Sequence, residues 1–238
     1  MFDATAFTKH MVKGPGATAF LDWLTCNKLP RVGRTNLTYA LTDAGTIRTE
    51  LTIVRRAENE YYVVTAGAAQ AYDHDYLVKM AEDCRDRMGW IEVQDVSTQW
   101  GVFAIAGPKS RDVLAALTDA DLSSEAFPWL TAKRIEVGMA SMLAMRVNYV
   151  GELGWELHHP VEMQNYLWDL LMTAGEKHGL VPVGARAQNW LRQEKSYRAF
   201  GTELGRDATP LEADLPRFVD QSKDFQGKDA MNDIGVRV

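Results

Sequence analysis

The chain has 238 residues, 46% of them apolar and 24% charged, and its 32 acidic side chains against 26 Lys and Arg leave a formal charge of -6. That is enough apolar material for one large core or two small ones. The balance is too acidic for the electrostatic footprint of a nucleic-acid binder, and no stretch approaches the ~20 continuous apolar residues of a membrane span. The N-terminus does not read as a signal peptide. Cys26 and Cys84 lie far apart without CxxC spacing, so they signal neither a disulfide framework nor a zinc knuckle and read as small buried residues in a reducing, cytoplasmic setting.

Gly14-Pro15-Gly16 is a turn, and Ala17, Phe20, Leu21 and Leu24 then recur at helical spacing, which predicts a helix to about Asn27. Leu37 to Leu41 and Ile47 to Val54 read as strands of a hairpin joined through Asp43-Ala44-Gly45, with Tyr61 to Thr65 as a third strand. A long helix is expected from Ala68 to Met88, with Tyr72, Tyr76, Leu77 and Met80 on one side. Strands follow at Ile91 to Val96 and Trp100 to Ala106, then a helix opened by Gly107-Pro108 and running to Leu117. Ile135 to Val137 and Met142 to Asn148 are strand-like, Gly151 and Gly154 flank a turn, and Trp155-Glu156-Leu157 resumes a strand. Met163, Tyr166, Leu167, Leu170 and Leu171 form a helical stripe stopped by Gly179, and a last helix is expected from Ala185 to Tyr197. The mixture is α+β, and the abrupt start and end read as edges of something larger.

Familiar catalytic signatures are missing: no GxSxG, no GxxxxGK[ST] and no GxGxxG occurs. His158 and His159 are adjacent on a strand and point to opposite faces. His74 sits between Asp73 and Asp75 on what reads as a polar helix face, so the histidines read as solvated and no metal is expected. Glu50 lies inside a strand, with Arg48 and Thr52 expected on its face. Tyr149-Val150-Gly151-Glu152-Leu153-Gly154-Trp155-Glu156 packs two glycines, two acids and two aromatics into a turn. By spacing alone it is a structural hairpin or a ligand site, and Arg192 to Arg198 is a charged helix end. The residues themselves carry the reading to an α+β protein with an acidic, aromatic candidate pocket.

The same segments resemble a known family. Gly14-Pro15-Gly16-Ala17 with Phe20-Leu21, Gly45-Thr46-Ile47-Arg48-Thr49-Glu50-Leu51-Thr52, Gly107-Pro108-Lys109-Ser110-Arg111 and Tyr149-Val150-Gly151-Glu152-Leu153-Gly154-Trp155-Glu156 match, in order, motifs of the glycine-cleavage T-protein (aminomethyltransferase) family. Leu191 to Gly201 and Thr209-Pro210-Leu211-Glu212-Ala213 continue the match. Lys195, Tyr197-Arg198 and Phe127-Pro128-Trp129-Leu130 look more like the folate domain of dimethylglycine and sarcosine dehydrogenases.

The resemblance implies a T-protein-like folate-binding domain over 1–230, with a ferredoxin-like subdomain roughly within 100–200, a tail over 231–238, and no C-terminal barrel domain. It implies tetrahydrofolate as the one-carbon acceptor, with Glu50 as the catalytic carboxylate where much of the family has Asp. Glu156 would grip the pterin edge, and Tyr149, Thr52, Tyr197 and Val54 match neighbouring pocket positions. Leu37 stands where T-proteins tend to have Tyr, and Gln188 aligns with a position that is Arg in T-proteins. The implied activity captures the carbon of an oxidised N-methyl amine of the dimethylglycine or sarcosine type. FAD would be held on a partner domain or chain, with a flavin dehydrogenase as partner and neither nucleic acid nor membrane involved. Aminomethyl transfer, O- or S-demethylation, and a non-catalytic folate-binding module remain the alternatives.

Overall fold

The structure, a computed structural model, describes residues 1–233. In chain order its elements are β1 (Phe2–Asp3), β2 (Thr8–Lys13), α1 (Ala17–Leu24), β3 (Thr35–Leu41), β4 (Ile47–Ala57), β5 (Glu60–Thr65), α2 (Gln70–Met88), β6 (Glu92–Asp95) and β7 (Trp100–Ala106). There follow α3 (Ser110–Ala115), β8 (Ala132–Val137), β9 (Ala140–Met145), β10 (Gly154–Pro160), α4 (Gln164–Gly175), α5 (Ala185–Glu194) and α6 (Lys228–Asp233). Among these residues no helix is long and apolar enough to cross a membrane. The expected α+β class holds, because every strand pairing is antiparallel and the helices pack on sheet faces.

The chain forms two compact units: Met1–Ala6 with Ser97–Tyr197, and Phe7–Val96 with the segment from Arg198 onward. In the first, a five-stranded sheet runs β1-β7-β10-β9-β8. Phe103, Ile105, Ile135, Val137, Met142, Ala144, Trp155 and Leu157 meet Val113 and Leu114 of α3 and Leu167 and Leu171 of α4 in one core. The strand-then-helix units β7-α3 and β10-α4 thus place their helices on one face of this sheet.

In the second unit the sheet order is β3-β4-β5-β2-β6. One face buries Val12, Leu51, Ile53 and Val63 against Phe20, Leu21 and Leu24 of α1 and Leu77, Ala81 and Cys84 of α2. The other face buries Tyr39, Leu41 and Ile47 under Leu204, Leu215, Phe225 and Met231. The inner side of α2 is therefore Asp73, Leu77, Ala81 and Cys84, while Tyr72, expected on the apolar side, is 43% exposed. Helix α6 crosses the boundary expected at residue 230, with Met231 buried, and 234–238 of the expected tail lie outside the described residues. Both cysteines are free and buried, and burial pushes the Cys26 thiol up to about 11, so it stays an inert thiol.

Candidate functional site

The β3–β4 hairpin closes through Asp43-Ala44-Gly45, with Gly45 at φ +78, and its register places Glu50 opposite Tyr39, Thr52 opposite Leu37 and Val54 opposite Thr35. Directly opposed residues share a sheet face. Strand β5 adds Val64 beside Thr52 and Tyr62 beside Val54, and β2 extends the first of these rows with Lys9 beside Val64. Glu50, Thr52 and Val54 therefore line one face, alternating with Leu51 and Ile53, which enter the core under α1 and α2. Three of the sequence-derived candidates are so brought together by one strand.

Arg48 does not join them. The register shifts between Ala40 and Leu41, so that Ala40 pairs with Thr49 and Leu41 with Ile47, and Arg48 is the extra residue of a bulge. Its guanidinium turns to α2, lying 3.7 Å from Asp73 Oδ1 and stacking 3.2 Å from the centre of the Tyr72 ring. Thr49, on the same side, donates to Asp73 Oδ2 at 3.0 Å. A strict period of two cannot reveal such an inserted residue.

Glu50 keeps some accessible surface, yet loss of water around its carboxyl raises its pKa from 4.5 to about 7, against the lowering effect of a hydrogen bond from the Tyr39 hydroxyl. A carboxyl in that state both accepts and returns a proton at neutral pH. Tyr39 and the fully buried Lys9 are the residues that motif reading missed on this face. Counting across the Asp43-Ala44-Gly45 turn from the Leu41–Ile47 pair would set Tyr39 opposite Thr49; the bulge at Arg48 moves it opposite Glu50.

In the other unit, Glu156 sits on β10, the middle strand, between Ala104 of β7 and Met145 of β9. Its side chain is 14% exposed, and Oε2 lies 3.3 Å from Nε2 of the buried His158, two residues along the strand and so on the same face. The turn before it is organised by Asn148, whose Oδ1 accepts from the backbone N–H of Val150 at 2.9 Å and of Glu152 at 3.2 Å. That side chain ends β9 at Met145, short of the expected Asn148. Gly151 at φ +68 lies against the Lys195 side chain, which reaches Glu152 at 3.2 Å.

Tyr149 and Tyr197 are brought together here, with ring centres 6.3 Å apart. Helix α5 ends at Glu194 rather than Tyr197, and the buried Arg192 holds the following turn by donating Nη1 to the Tyr197 carbonyl at 2.8 Å and Nε to Asn189 Oδ1 at 2.9 Å. Gln188 is on α5 and half-buried, one turn into the helix. The glutamates are thus the chemical centres of two constructions: a protonatable carboxyl beside a phenol, and a carboxyl beside an imidazole, in a unit that also pairs two tyrosines.

The histidine expectation is corrected. His10, His158 and His159 lie on the interior strands β2 and β10 and are fully buried, and His74 is half-buried on α2. Burial lowers the His10 pKa to about 4 and also lowers that of His159, which contacts the Leu157 carbonyl at 3.0 Å and Gln164 Oε1 at 2.7 Å.

The family described as GCVT N-terminal domain matches residues 1–223. The chain is 38% identical to the Mus musculus mitochondrial dimethylglycine dehydrogenase, over 98% of this chain and 27% of that protein. It is 33% identical to the aminomethyltransferase of Caldanaerobacter subterraneus, over 97% of this chain and 61% of that protein. In fold it superimposes on the glycine cleavage system aminomethyltransferase T of Bartonella henselae with a TM-score of 0.83 at 24% identity, covering 98% of this chain and 62% of that one. The chain thus spans about a quarter of the first relative and about three fifths of the second.

Proposed function

From its place in the GCVT N-terminal domain family, to which this chain belongs, we propose that it carries out tetrahydrofolate-dependent one-carbon transfer. The carbon comes from oxidative demethylation of an N-methyl amine of the dimethylglycine or sarcosine type, and leaves as methylene-tetrahydrofolate. The flavin that oxidises the amine belongs, in this proposal, to a partner domain or chain. What favours this donor over a free aminomethyl group is the 38% identity to a dimethylglycine dehydrogenase across nearly the whole chain.

The single observation that carries the chemistry is the Glu50 carboxyl with its pKa near 7. Tetrahydrofolate supplies the accepting amine nitrogens. When two N–H groups add to an iminium carbon, the product is an N–CH2–N bridge and the departing amine takes up both hydrogens. With formaldehyde, the same addition releases water. Either route makes a cationic nitrogen that must lose a proton before the next bond forms. Glu50 takes that proton and gives it to the leaving amine or hydroxyl, and it does so best with a pKa at the working pH. The Tyr39 hydroxyl holds the carboxyl in place and partly offsets the cost of its ionised form.

Glu156 we assign to the pterin edge, where an N–H and an amino group lie side by side and an ionised carboxylate accepts both. Its neighbour His158, 3.3 Å away on the same strand face, steadies the carboxylate in this reading. Tyr149 and Tyr197 present an aromatic pair suited to a flat ring. Thr52 and Val54 flank Glu50 along β4, and Gln188 is the polar contact assigned to the folate tail. Calorimetric titration of the full chain with tetrahydrofolate tests the reading: one saturable site is expected, and no measurable heat with tetrahydrofolate would remove it.

A further inference from the structure

Under the first turns of α2, at the β6 edge of the second sheet, three side chains of metal-ligand type converge. His10 of β2 and Asp95 of β6 are direct partners in the ladder, so both side chains lie on the face that α2 covers. His74 descends from α2, and its ring stacks on that of His10 at 5.5 Å with 4° between planes. One ligand atom from each of His10, His74 and Asp95 lies within 4.8 Å of the others.

The surroundings point to a ligand. His10 is fully buried, and neither of its ring nitrogens has a hydrogen-bond partner; His74 Nδ1 is buried and also without one. A neutral imidazole carries one N–H and one lone pair, and buried polar atoms are nearly always satisfied. Two adjacent rings with unused buried nitrogens are therefore anomalous for a plain core. Asp95 already accepts a hydrogen bond from Gln70 Nε2 at 2.9 Å, the kind of outer contact that orients a ligating carboxylate.

We propose that His10, His74 and Asp95 bind a divalent transition-metal ion of the Zn2+ class, with Gln70 as the outer support of Asp95. Two imidazoles and one carboxylate suit zinc and its neighbours, whereas magnesium and calcium select oxygen-only shells. Bonds of roughly 2.0–2.1 Å put tetrahedral ligand atoms roughly 3.3 Å apart. Bringing ligand atoms that already lie within 4.8 Å of one another to that spacing requires the two rings to rotate away from parallel. The ion would tie the start of α2 to the outermost strand of the sheet. The cluster lies on the opposite sheet face from Glu50, Thr52 and Val54, so it stands apart from the folate reading.

The test uses the full chain without an affinity tag, stripped with a chelator and titrated with zinc chloride by calorimetry and with cobalt(II) by visible absorption. One equivalent should bind, with a rise in Tm and with cobalt bands of low-symmetry coordination. His74→Gln and Asp95→Asn, at half-buried positions, should each abolish saturable binding with circular dichroism unchanged, and Gln70→Ala should weaken it roughly 10–100-fold. If either ligand variant misfolds, the remaining variant and Gln70→Ala carry the test. No saturable uptake by the parent chain, or uptake equal to the parent's in the folded variants, overturns the proposal.

Discussion

Two glutamates on interior strands of two antiparallel sheets have been given opposite surroundings. On β4, Glu50 has a phenol opposite it, Thr52 and Val54 along its face, and a pKa lifted to about 7 by loss of water. On β10, Glu156 has an imidazole 3.3 Å away on its own strand and small or apolar partners, Ala104 and Met145, across the ladder. At Glu50 loss of water outweighs the lowering effect of the Tyr39 hydrogen bond, which suits the proton transfer proposed for it. At Glu156 the carboxylate is held against a buried imidazole on its own strand, which suits the anchoring proposed for it. Residue type alone does not set these surroundings; the neighbours on the same sheet face do.

The sharpest way to break the contrast is Glu50→Gln. The amide keeps the shape and the hydrogen bond to Tyr39 but cannot take up a proton. Formation of methylene-tetrahydrofolate should fall by roughly 10²–10⁴, the usual worth of a general acid–base group, while tetrahydrofolate affinity stays within a few-fold. Parent-like turnover in this variant would remove Glu50 from the chemistry. The two readouts are single-turnover product formation and calorimetric affinity.

The same carboxyl leaves a mark on stability. Its folded pKa lies above its unfolded value, so between about pH 4.5 and 7 the folded state holds more protons than the unfolded one. Stability therefore falls as the pH rises through that window and levels off above it. The shift from 4.5 to about 7 corresponds to roughly 3–4 kcal/mol as an upper bound. Denaturant melts of the parent and of Glu50→Gln across pH 4 to 8 should differ in slope, the variant being flatter. Parallel curves would mean that the Glu50 carboxyl is not held in its neutral form.

How much of this could be seen in the residues follows from what a local pattern encodes. The β3–β4 hairpin was legible because Asp43-Ala44-Gly45 separates two runs rich in strand formers, and Gly45 does take φ +78. Helix α1 was legible in its buried face, but it stops at Leu24 instead of Asn27. There Thr25 bonds its hydroxyl back to the Leu21 carbonyl at 2.8 Å and its backbone swings out to bridge Ala40. The start of α3 at Ser110 rather than Pro108 has a similar cause: Gly107 at φ +126 and a turn from Ser110 N–H to the Gly107 carbonyl delay it. The candidate residues came from motif resemblance, since spacing alone left the Glu152 to Glu156 turn undecided. The bulge at Arg48, the burial of His10 and the pairing of Tyr39 with Glu50 depend on how strands pair, and no single segment carries that information.

Glu156→Gln probes the other side of the contrast. A neutral amide offers one acceptor where the carboxylate offers two, and it loses the charge-assisted strength of about 1.5–3 kcal/mol. Tetrahydrofolate affinity should fall roughly 10–100-fold, and the rate at saturating folate should hold. A large loss of rate at saturation with unchanged affinity would exchange the roles assigned to the two acids.

The smallest effect is expected at the turn that leads into Glu156. Gly151 adopts φ +68, and a Cβ there would lie 2.6 Å from Lys195 Cγ. The left-handed backbone alone costs an alanine about 1–2 kcal/mol. The Lys195 contact adds little, because a flexible side chain can move aside, and its ion pair with the half-exposed Glu152 is worth little in water. Gly151→Ala should therefore lower stability by about 1–2 kcal/mol in urea melts. Any part of the effect that comes from crowding Lys195, two residues before Tyr197, should show as a small loss of folate affinity that leaves Glu50 untouched. Lys195→Ala separates the two causes: it removes the side-chain contact but not the backbone strain, so the double variant should recover any affinity lost to crowding and none of the stability lost to φ.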